Sequence, residues 1–158
     1  MYRHIMVPLD GSELAECVFP HVETIAKCSL TPQITLIRVA TPLKMYSGLD
    51  YSGMQGMNAE VMQRLEDDNI KASKVYLQKH VDYLKSKGIT AKAEAAFGDV
   101  ADSLTEFAEK NNVDLIIIAT HGRSGIKRLV LGSVADRILR TSKIPILMVQ
   151  PQDSATKA

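Results

Sequence analysis

The chain has 158 residues, 46% of them apolar and 23% charged, which is typical of one globular domain and excludes a disordered chain. Its 19 Lys and Arg against 18 Asp and Glu give a net charge of +1, so no global field attracts nucleic acid or an anionic membrane. We find no bilayer-length apolar run, no signal-peptide pattern and no Trp, so we expect a cytoplasmic protein that binds neither nucleic acid nor membrane.

Five short runs rich in β-branched residues alternate with longer amphipathic stretches. This alternation is typical of a parallel sheet that is covered by helices on both faces. The fourth run, LIIIA, is continuously apolar and therefore predicts a central strand. The predicted strands are 4–9, 33–39, 90–96, 115–119 and 144–149.

Four helices are predicted between the strands. The first spans 12–27, with Ser12 as its N-cap and a kink at Pro20. The second spans 58–86, where Val61, Leu65, Val75, Val81 and Leu84 form its apolar pattern. The third ends near Lys110 after an Asp99 cap, and the fourth runs from Ser133 to Arg140. With right-handed crossovers, these elements predict an α/β fold: a Rossmann-like doubly wound five-stranded parallel sheet, order 3-2-1-4-5.

One domain is predicted over residues 1–150. Within this domain, the apolar residues of 41–57 follow neither helical nor strand spacing, so this segment is expected to form a long loop between the second strand and the second helix. Residues 151–158 are polar and are expected to form a C-terminal tail. We see no internal repeat and no linker that would divide the domain.

The residues that follow strands one and four are the best candidates for a binding site. In open α/β sheets, ligands bind at the carboxyl ends of the strands where the strand order reverses. Asp10 follows the first strand, and a glycine-rich segment, 119–133, follows the fourth. Gly132 and Ser133 open a helix whose first amides are unpaired donors, so they suit an anion. From 120 to 143 there are six basic residues and one acid, which also favours an anion. The alternative interpretation is structural: the glycines form a turn, Ser133 caps a helix and the basic residues form a solvated face.

These segments resemble the nucleotide-binding members of the universal stress protein family. The family pattern is Gly, two residues, Gly, nine residues, then Gly followed by Ser or Thr. Here Ala119 replaces the first glycine, and Gly122, Gly132 and Ser133 match the other positions. The resemblance implies that Asp10 holds a ribose, that Pro8, Leu9, Val39 and Ile118 surround an adenine, and that Gly122, Gly132, Ser133 and Val134 bind phosphates with help from Arg123 and Ser124. The methyl group of Ala119 would narrow the approach of the ligand.

We therefore expect a regulatory stress-response protein that binds ATP or a related adenine nucleotide. Mg²⁺ would arrive with the phosphates, and the occupied protein would act on a regulatory protein partner that the sequence does not identify. The last strand, 144–149, is expected at the sheet edge, where it would form a homodimer. The alternative is a dimeric interaction module with a vestigial pocket. No general base is evident apart from Asp10, so we do not expect an efficient enzyme, while slow hydrolysis or autophosphorylation stays open.

Other types of site find little support in the sequence. No Walker A loop and no G-x-G-x-x-G follows a strand, and the segment 122–125 only approaches a nucleophile elbow. The acidic cluster of a receiver domain is missing. The four His are scattered, and Cys17 and Cys28 lie 11 residues apart, so we expect no metal site and assign both thiols to core packing.

Overall fold

The structure, a computed structural model, describes residues 1–29, 32–41, 59–120 and 132–151. Five parallel strands form one sheet of order β3-β2-β1-β4-β5. The predicted strand order is confirmed, and β5 lies at an edge of the sheet as expected. The strands are β1 (His4–Pro8), β2 (Gln33–Ala40), β3 (Ala91–Phe97), β4 (Leu115–Ala119) and β5 (Ile146–Val149).

The last strand begins two residues later than the sequence predicts. Pro145 has no N–H group to give to a strand ladder. The amide of Ile144 instead donates to the Ser142 side-chain oxygen over 3.1 Å. Regular pairing with β4 therefore starts at Ile146, which is opposite Ile116.

Helices cover both faces of the sheet, as predicted. Successive strand residues point to opposite faces, so Ile5 and Val7 pack on one face while Met6 packs on the other. The first face is covered by α1 (Phe19–Cys28) and α2 (Ala59–Ser86), and the second face by α3 (Val100–Lys110) and α4 (Ser133–Thr141).

The first helical segment differs from the single kinked helix that the sequence predicts. A 3-10 turn spans Ala15–Val18, and α1 begins only at Phe19. Pro20 lies in the first turn of α1, where its missing N–H costs no intrahelical hydrogen bond. The N-cap of the 3-10 turn is Leu14, which makes no side-chain cap hydrogen bond, so the prediction of Ser12 as the N-cap is wrong. The Ser12 hydroxyl accepts from the Ala15 amide over 3.2 Å in the turn that precedes it.

The apolar face of α2 also differs from the predicted pattern. Leu77, Val81 and Leu84 follow one another at spacings of four and three and are buried against the sheet. Val75 lies off this face and is 64% exposed. Val61, near the start of the helix, is 42% exposed, so the buried face is narrower than the apolar residues of the sequence indicate.

Asp99 caps α3, as predicted. Its carboxylate accepts from the Asp102 amide over 3.1 Å. The same carboxylate accepts from the guanidinium of Arg137 on α4 over 3.2 Å, and Arg137 also contacts Asp102 over 2.7 Å. Asp99 thus joins the start of α3 to α4.

We expect Asp99→Ala to lower the free energy of unfolding by about 1 kcal/mol, because it removes the N-cap. Asp99→Asn keeps a capping oxygen and loses only an exposed ion pair, so it should stay within about 0.5 kcal/mol of the wild type. Urea denaturation of both variants measures the difference. Equal losses in the two variants would assign the stabilisation to the ion pair with Arg137 instead of the cap.

No helix in the described ranges is long and apolar enough to cross a membrane. The predicted loop over 41–57 lies outside the described residues except for Thr41, and the predicted tail lies outside them except for Pro151.

Candidate functional site

A cavity of about 480 Å³ opens at the carboxyl ends of the central strands. Chain connections leave β1 and β4 toward opposite sides of the sheet at this point, which is where doubly wound sheets bind ligands. The volume lies within the usual range for small-molecule sites. Residues from four strand ends or helix starts surround it, among them Asp10, Arg38, Thr41, Thr120 and Ser133.

Asp10 is held by a tight turn at the end of β1. Its Oδ1 accepts from the Ser12 amide over 2.9 Å and from the Ser12 hydroxyl over 2.6 Å. Gly11, between them, has φ +86, a conformation that residues with a Cβ rarely adopt. The turn therefore fixes a half-buried carboxylate at the mouth of the cavity.

The start of α4 supplies hydrogen-bond donors on the other side of the cavity. The amide of Asp136 bonds to the Gly132 carbonyl, which is the first bond of the helix. Within the described part of the chain, the amides of Ser133, Val134 and Ala135 have no backbone acceptor. Three donors and the positive end of the helix dipole thus border the cavity, an arrangement that suits an anion.

Gly132 permits a close contact between α4 and the end of β4. Its amide donates to the Thr120 carbonyl over 2.9 Å, and the Thr120 amide donates to the Val149 carbonyl over 2.8 Å. A Cβ on Gly132 would lie 3.0 Å from the Thr120 oxygen, closer than side chains normally approach. The glycine lets the helix start directly beside the strand.

Part of the cavity lining is apolar. It includes Val39 at the end of β2, Val100 and Leu104 on α3, and Ile37 and Ile118 in the sheet. All five pack in the core on the side of the sheet that carries α3 and α4. This apolar wall suits a flat ring.

Arg38 also lines the cavity and packs against Tyr76 and Gly11. Its guanidinium carbon lies 5.3 Å from the centre of the Tyr76 ring, within the range of a cation–π contact. A Cβ on Gly11 would lie 3.0 Å from that carbon, so the guanidinium packs against the bare glycine. These contacts tie α2 to the turn that carries Asp10.

The Tyr76 hydroxyl extends this connection to the 3-10 turn. It donates to Glu16 Oε1 over 3.0 Å, and His80 Nε2 lies 3.2 Å from the same oxygen. Burial, followed by the Glu16 carboxylate, raises the pKa of Tyr76. The shift strengthens the preference of the phenol for its protonated form, in which it donates to Glu16.

The structure brings together all the predicted site residues that it describes. These nine residues line the same cavity: Pro8, Leu9, Asp10, Val39, Ile118, Ala119, Gly132, Ser133 and Val134. The other three, Gly122, Arg123 and Ser124, lie outside the described residues. Ser133 is the first residue of α4, and Gly132 precedes it as the N-cap without a side-chain hydrogen bond.

Sequence reasoning missed several residues that line the cavity. Arg38 and Thr41 flank the predicted Val39 position, and Asn69 and Ser73 come from the middle of α2. Asn69 and Ser73 lie four residues apart, one helical turn, so they share a face. No motif indicates these two residues, because the sequence does not show which turn of a long helix lies over the carboxyl ends of the strands.

The two cysteines have different environments. Cys17 is partly buried against the core, as predicted, whereas Cys28 at the end of α1 is exposed. The assignment of Cys28 to the core is therefore wrong, because Cys17 lies in the 3-10 turn and Cys28 in α1, and not on one face of a single helix. Among the described residues, no group of three or more His, Cys, Asp or Glu is arranged to hold a metal ion.

Comparison with known proteins identifies the family. The universal stress protein family profile matches residues 1–150. Universal stress protein MJ0531 of Methanocaldococcus jannaschii is 29% identical over 150 residues, which are 95% of this chain and 83% of that protein. Universal stress protein MJ0577 of the same organism is 27% identical over 160 residues, 98% of each chain.

Solved structures share the fold. The structure of MJ0577 superimposes with a TM-score of 0.83 at 26% identity and covers 98% of this chain and 99% of that one. An Arabidopsis thaliana family protein with AMP bound gives a TM-score of 0.65 at 15% identity, covering 95% of this chain and 92% of that one. A universal stress protein in complex with cAMP gives 0.57 at 20% identity, covering 96% and 98%. Since the profile spans nearly the full length, this chain belongs to the universal stress protein family.

Proposed function

We propose that this protein binds an adenine nucleotide, ATP in the first instance, in the cavity at the strand ends. The observation that carries the proposal is the meeting of nine predicted residues from four separate chain segments around one cavity. Two proteins of the same fold, one with AMP bound and one in complex with cAMP, support the ligand class.

The cavity has an environment for each part of a nucleotide. The donors at Ser133, Val134 and Ala135 suit the phosphates. The Asp10 carboxylate can accept from both hydroxyls of a ribose. The apolar wall around Val39 suits the purine ring. Mg²⁺ would be carried by the phosphates, since Mg²⁺ usually binds through substrate phosphates and few protein ligands.

We propose a regulatory role for the bound nucleotide in a homodimer. Among the described residues that line the cavity, Asp10 is the acidic one. Because Asp10 would be occupied by the ribose, no general base is assigned for efficient hydrolysis. Ile146, Leu147 and Met148 on the edge strand β5 are partly buried hydrophobic residues. An edge strand of this kind favours pairing with a second copy. A cavity of about 480 Å³ with polar and apolar regions argues against the vestigial-pocket alternative.

Adding ATP is expected to stabilise the protein against unfolding. At an ATP concentration 100 times Kd, the free energy of unfolding should rise by about 2.7 kcal/mol. Thermal and urea denaturation with increasing ATP measure the effect, and heat-denatured protein is checked for released adenine nucleotide. Tripolyphosphate at the same concentration serves as a control for simple charge binding. If ATP causes no shift in stability and no nucleotide is released, the interaction module is supported instead.

A further inference from the structure

The turn that carries Asp10 lies against the flat face of the Arg38 guanidinium. A Cβ built on Gly11 would lie 3.0 Å from Arg38 Cζ and 3.1 Å from both Nη1 and Nη2. An approach in the plane of the guanidinium, between its two terminal nitrogens, would bring the nitrogens clearly closer than the carbon. The three nearly equal distances therefore mean that Gly11 meets the face of this planar group, where no N–H points.

Arg38 is itself oriented by an aromatic ring on α2. Strand residues alternate between the faces of the sheet, so Arg38 follows Leu36 on the face that α2 covers. There its Cζ lies 5.3 Å from the centre of the Tyr76 ring, a distance typical of a cation–π contact. None of the ion pairs between described residues includes Arg38. In the described part of the chain, the ring and the glycine therefore hold the guanidinium, and not an ion pair.

Tyr76 also fixes the other end of the same segment. Its hydroxyl donates to Glu16 in the 3-10 turn over 3.0 Å. The chain from Gly11 to Glu16 is therefore connected to Tyr76 at both ends, through Arg38 at the first residue and directly at the last.

The packing restricts a turn that its own glycine leaves free. Gly11 has φ +86 and no side chain, so local sterics restrict its backbone less than that of any other residue. The Ser12 amide and hydroxyl, which bond to Asp10 Oδ1, follow directly. A shift at Gly11 would therefore move the carboxylate. A carboxylate that is already in place loses less freedom when a ligand binds.

We propose that Arg38 is a positioning residue for ligand binding: by packing on Gly11, its guanidinium holds the Asp10 carboxylate where it receives the two hydroxyls of a ribose. The inference rests on the proposed nucleotide binding, and Arg38 acts through Asp10 and not on the ligand itself. Arg38 lies on β2 and the start of α4 packs beside β4, with β1 between them. Their backbones are thus two strand spacings, roughly 10 Å, apart, so Arg38 acts on the sugar contact and leaves the phosphate donors unchanged.

Arg38→Met and Tyr76→Leu test this role, with AMP and inorganic phosphate as ligands in isothermal titration calorimetry. Either substitution loosens the Gly11 turn, so the Kd for AMP should rise about 10-fold, the effect of ordering roughly one more side chain on binding. The Kd for inorganic phosphate, which has no ribose, should stay within about 2-fold. Arg38→Lys disturbs folding least, because it keeps the charge near Tyr76 and loses only the flat face. It should raise the Kd for AMP about 3-fold.

Lys87 and Tyr83 offer a matched control away from the cavity. Lys87 Nζ lies 5.6 Å from the centre of the Tyr83 ring, and the Tyr83 hydroxyl donates to Glu23 of α1 over 2.6 Å. The same two kinds of contact thus occur here, and neither residue is among the described residues that line the cavity. Lys87→Met and Tyr83→Leu should leave the Kd for AMP within about 2-fold. They distinguish a general loosening of α2 from the loss of the Arg38 contact.

A double substitution shows whether Arg38 acts through Asp10. In an Asp10→Ala background the carboxylate is absent, so adding Arg38→Met should change the Kd for AMP by less than about 2-fold. If Arg38→Met weakens AMP binding as much in this background as in the wild type, Arg38 acts independently of Asp10, and the positioning role is wrong.

The outcomes separate this inference from the proposed function. A wild type that binds no AMP overturns both. If the wild type binds AMP, three results overturn the role of Arg38 alone: an unchanged Kd for AMP in Arg38→Met and Arg38→Lys, an equal loss of affinity for inorganic phosphate, or an equal loss of AMP affinity in the two control variants.

Discussion

Gly132→Asp is expected to weaken ATP binding by at least about 100-fold. The new carboxylate would stand at the N-terminus of α4, where the amides of Ser133 and Val134 face the cavity. Two like unit charges about 4 Å apart repel by roughly 4 kcal/mol at the effective dielectric constant of a partly buried site, which corresponds to about 1,000-fold in Kd. Competition with a fluorescent ATP analogue measures the loss.

Two further substitutions at the same position separate charge from bulk. Gly132→Asn has nearly the same size as Asp without the charge, and Gly132→Ala adds only the Cβ that would lie 3.0 Å from the Thr120 oxygen. We expect the loss of affinity to increase from Ala to Asn to Asp. Asp and Asn are good N-cap residues, so the stability of α4 should not fall in that order. If the Asp variant and the wild type bind ATP with equal affinity, the phosphates do not bind at the start of this helix.

The order of the sheet could be predicted because each strand has its own pattern. The continuous apolar run in β4 is buried throughout. The alternation of β-branched runs with amphipathic stretches predicted the number of crossovers. The boundaries were harder to predict where one residue overrides the pattern. Pro20 lies in the first turn of α1 instead of bending a longer helix, because proline fits the first turn better than the middle.

Nine of the 21 residues that line the cavity were predicted, because they lie at the ends of strands or at the start of α4. The position of Asp10 after β1 and of Gly132 before α4 follows from the chain order alone. The contribution of α2 could not be predicted in the same way. Asn69 and Ser73 reach the cavity through the packing of α2 against β2 and β3, which depends on side chains far from them in sequence.

The contacts among Glu16, Tyr76 and His80 could not be predicted from the sequence either. Glu16, Tyr76 and His80 meet across a sequence separation of about 60 residues. Each is an ordinary helix or turn residue by its local pattern. Only the packing of the 3-10 turn against α2 brings the phenol and the carboxylate together, so no short motif could have indicated their role in supporting the site.

Asp10→Ala is expected to weaken the binding of adenosine, AMP and ATP by a similar factor of about 100. The carboxylate is proposed to accept from the ribose hydroxyls, and hydrogen bonds to a charged group contribute about 1.5–3 kcal/mol each. Inorganic phosphate has no ribose, so its affinity should not change. Calorimetric titration of the four ligands measures these factors.

Asp10 also holds its own turn, so its two roles must be separated. Ser12→Ala removes the hydroxyl that lies 2.6 Å from Asp10 Oδ1 but leaves the carboxylate in place. If the ribose contact dominates, Ser12→Ala should weaken AMP binding much less than Asp10→Ala does. Asp10→Asn keeps an oxygen that can accept from the Ser12 amide and should fall between them, because it loses the charge and one of the two acceptor oxygens. A loss of phosphate binding as large as the loss of adenosine binding would mean that Asp10 acts by shaping the strand end and not by holding the sugar.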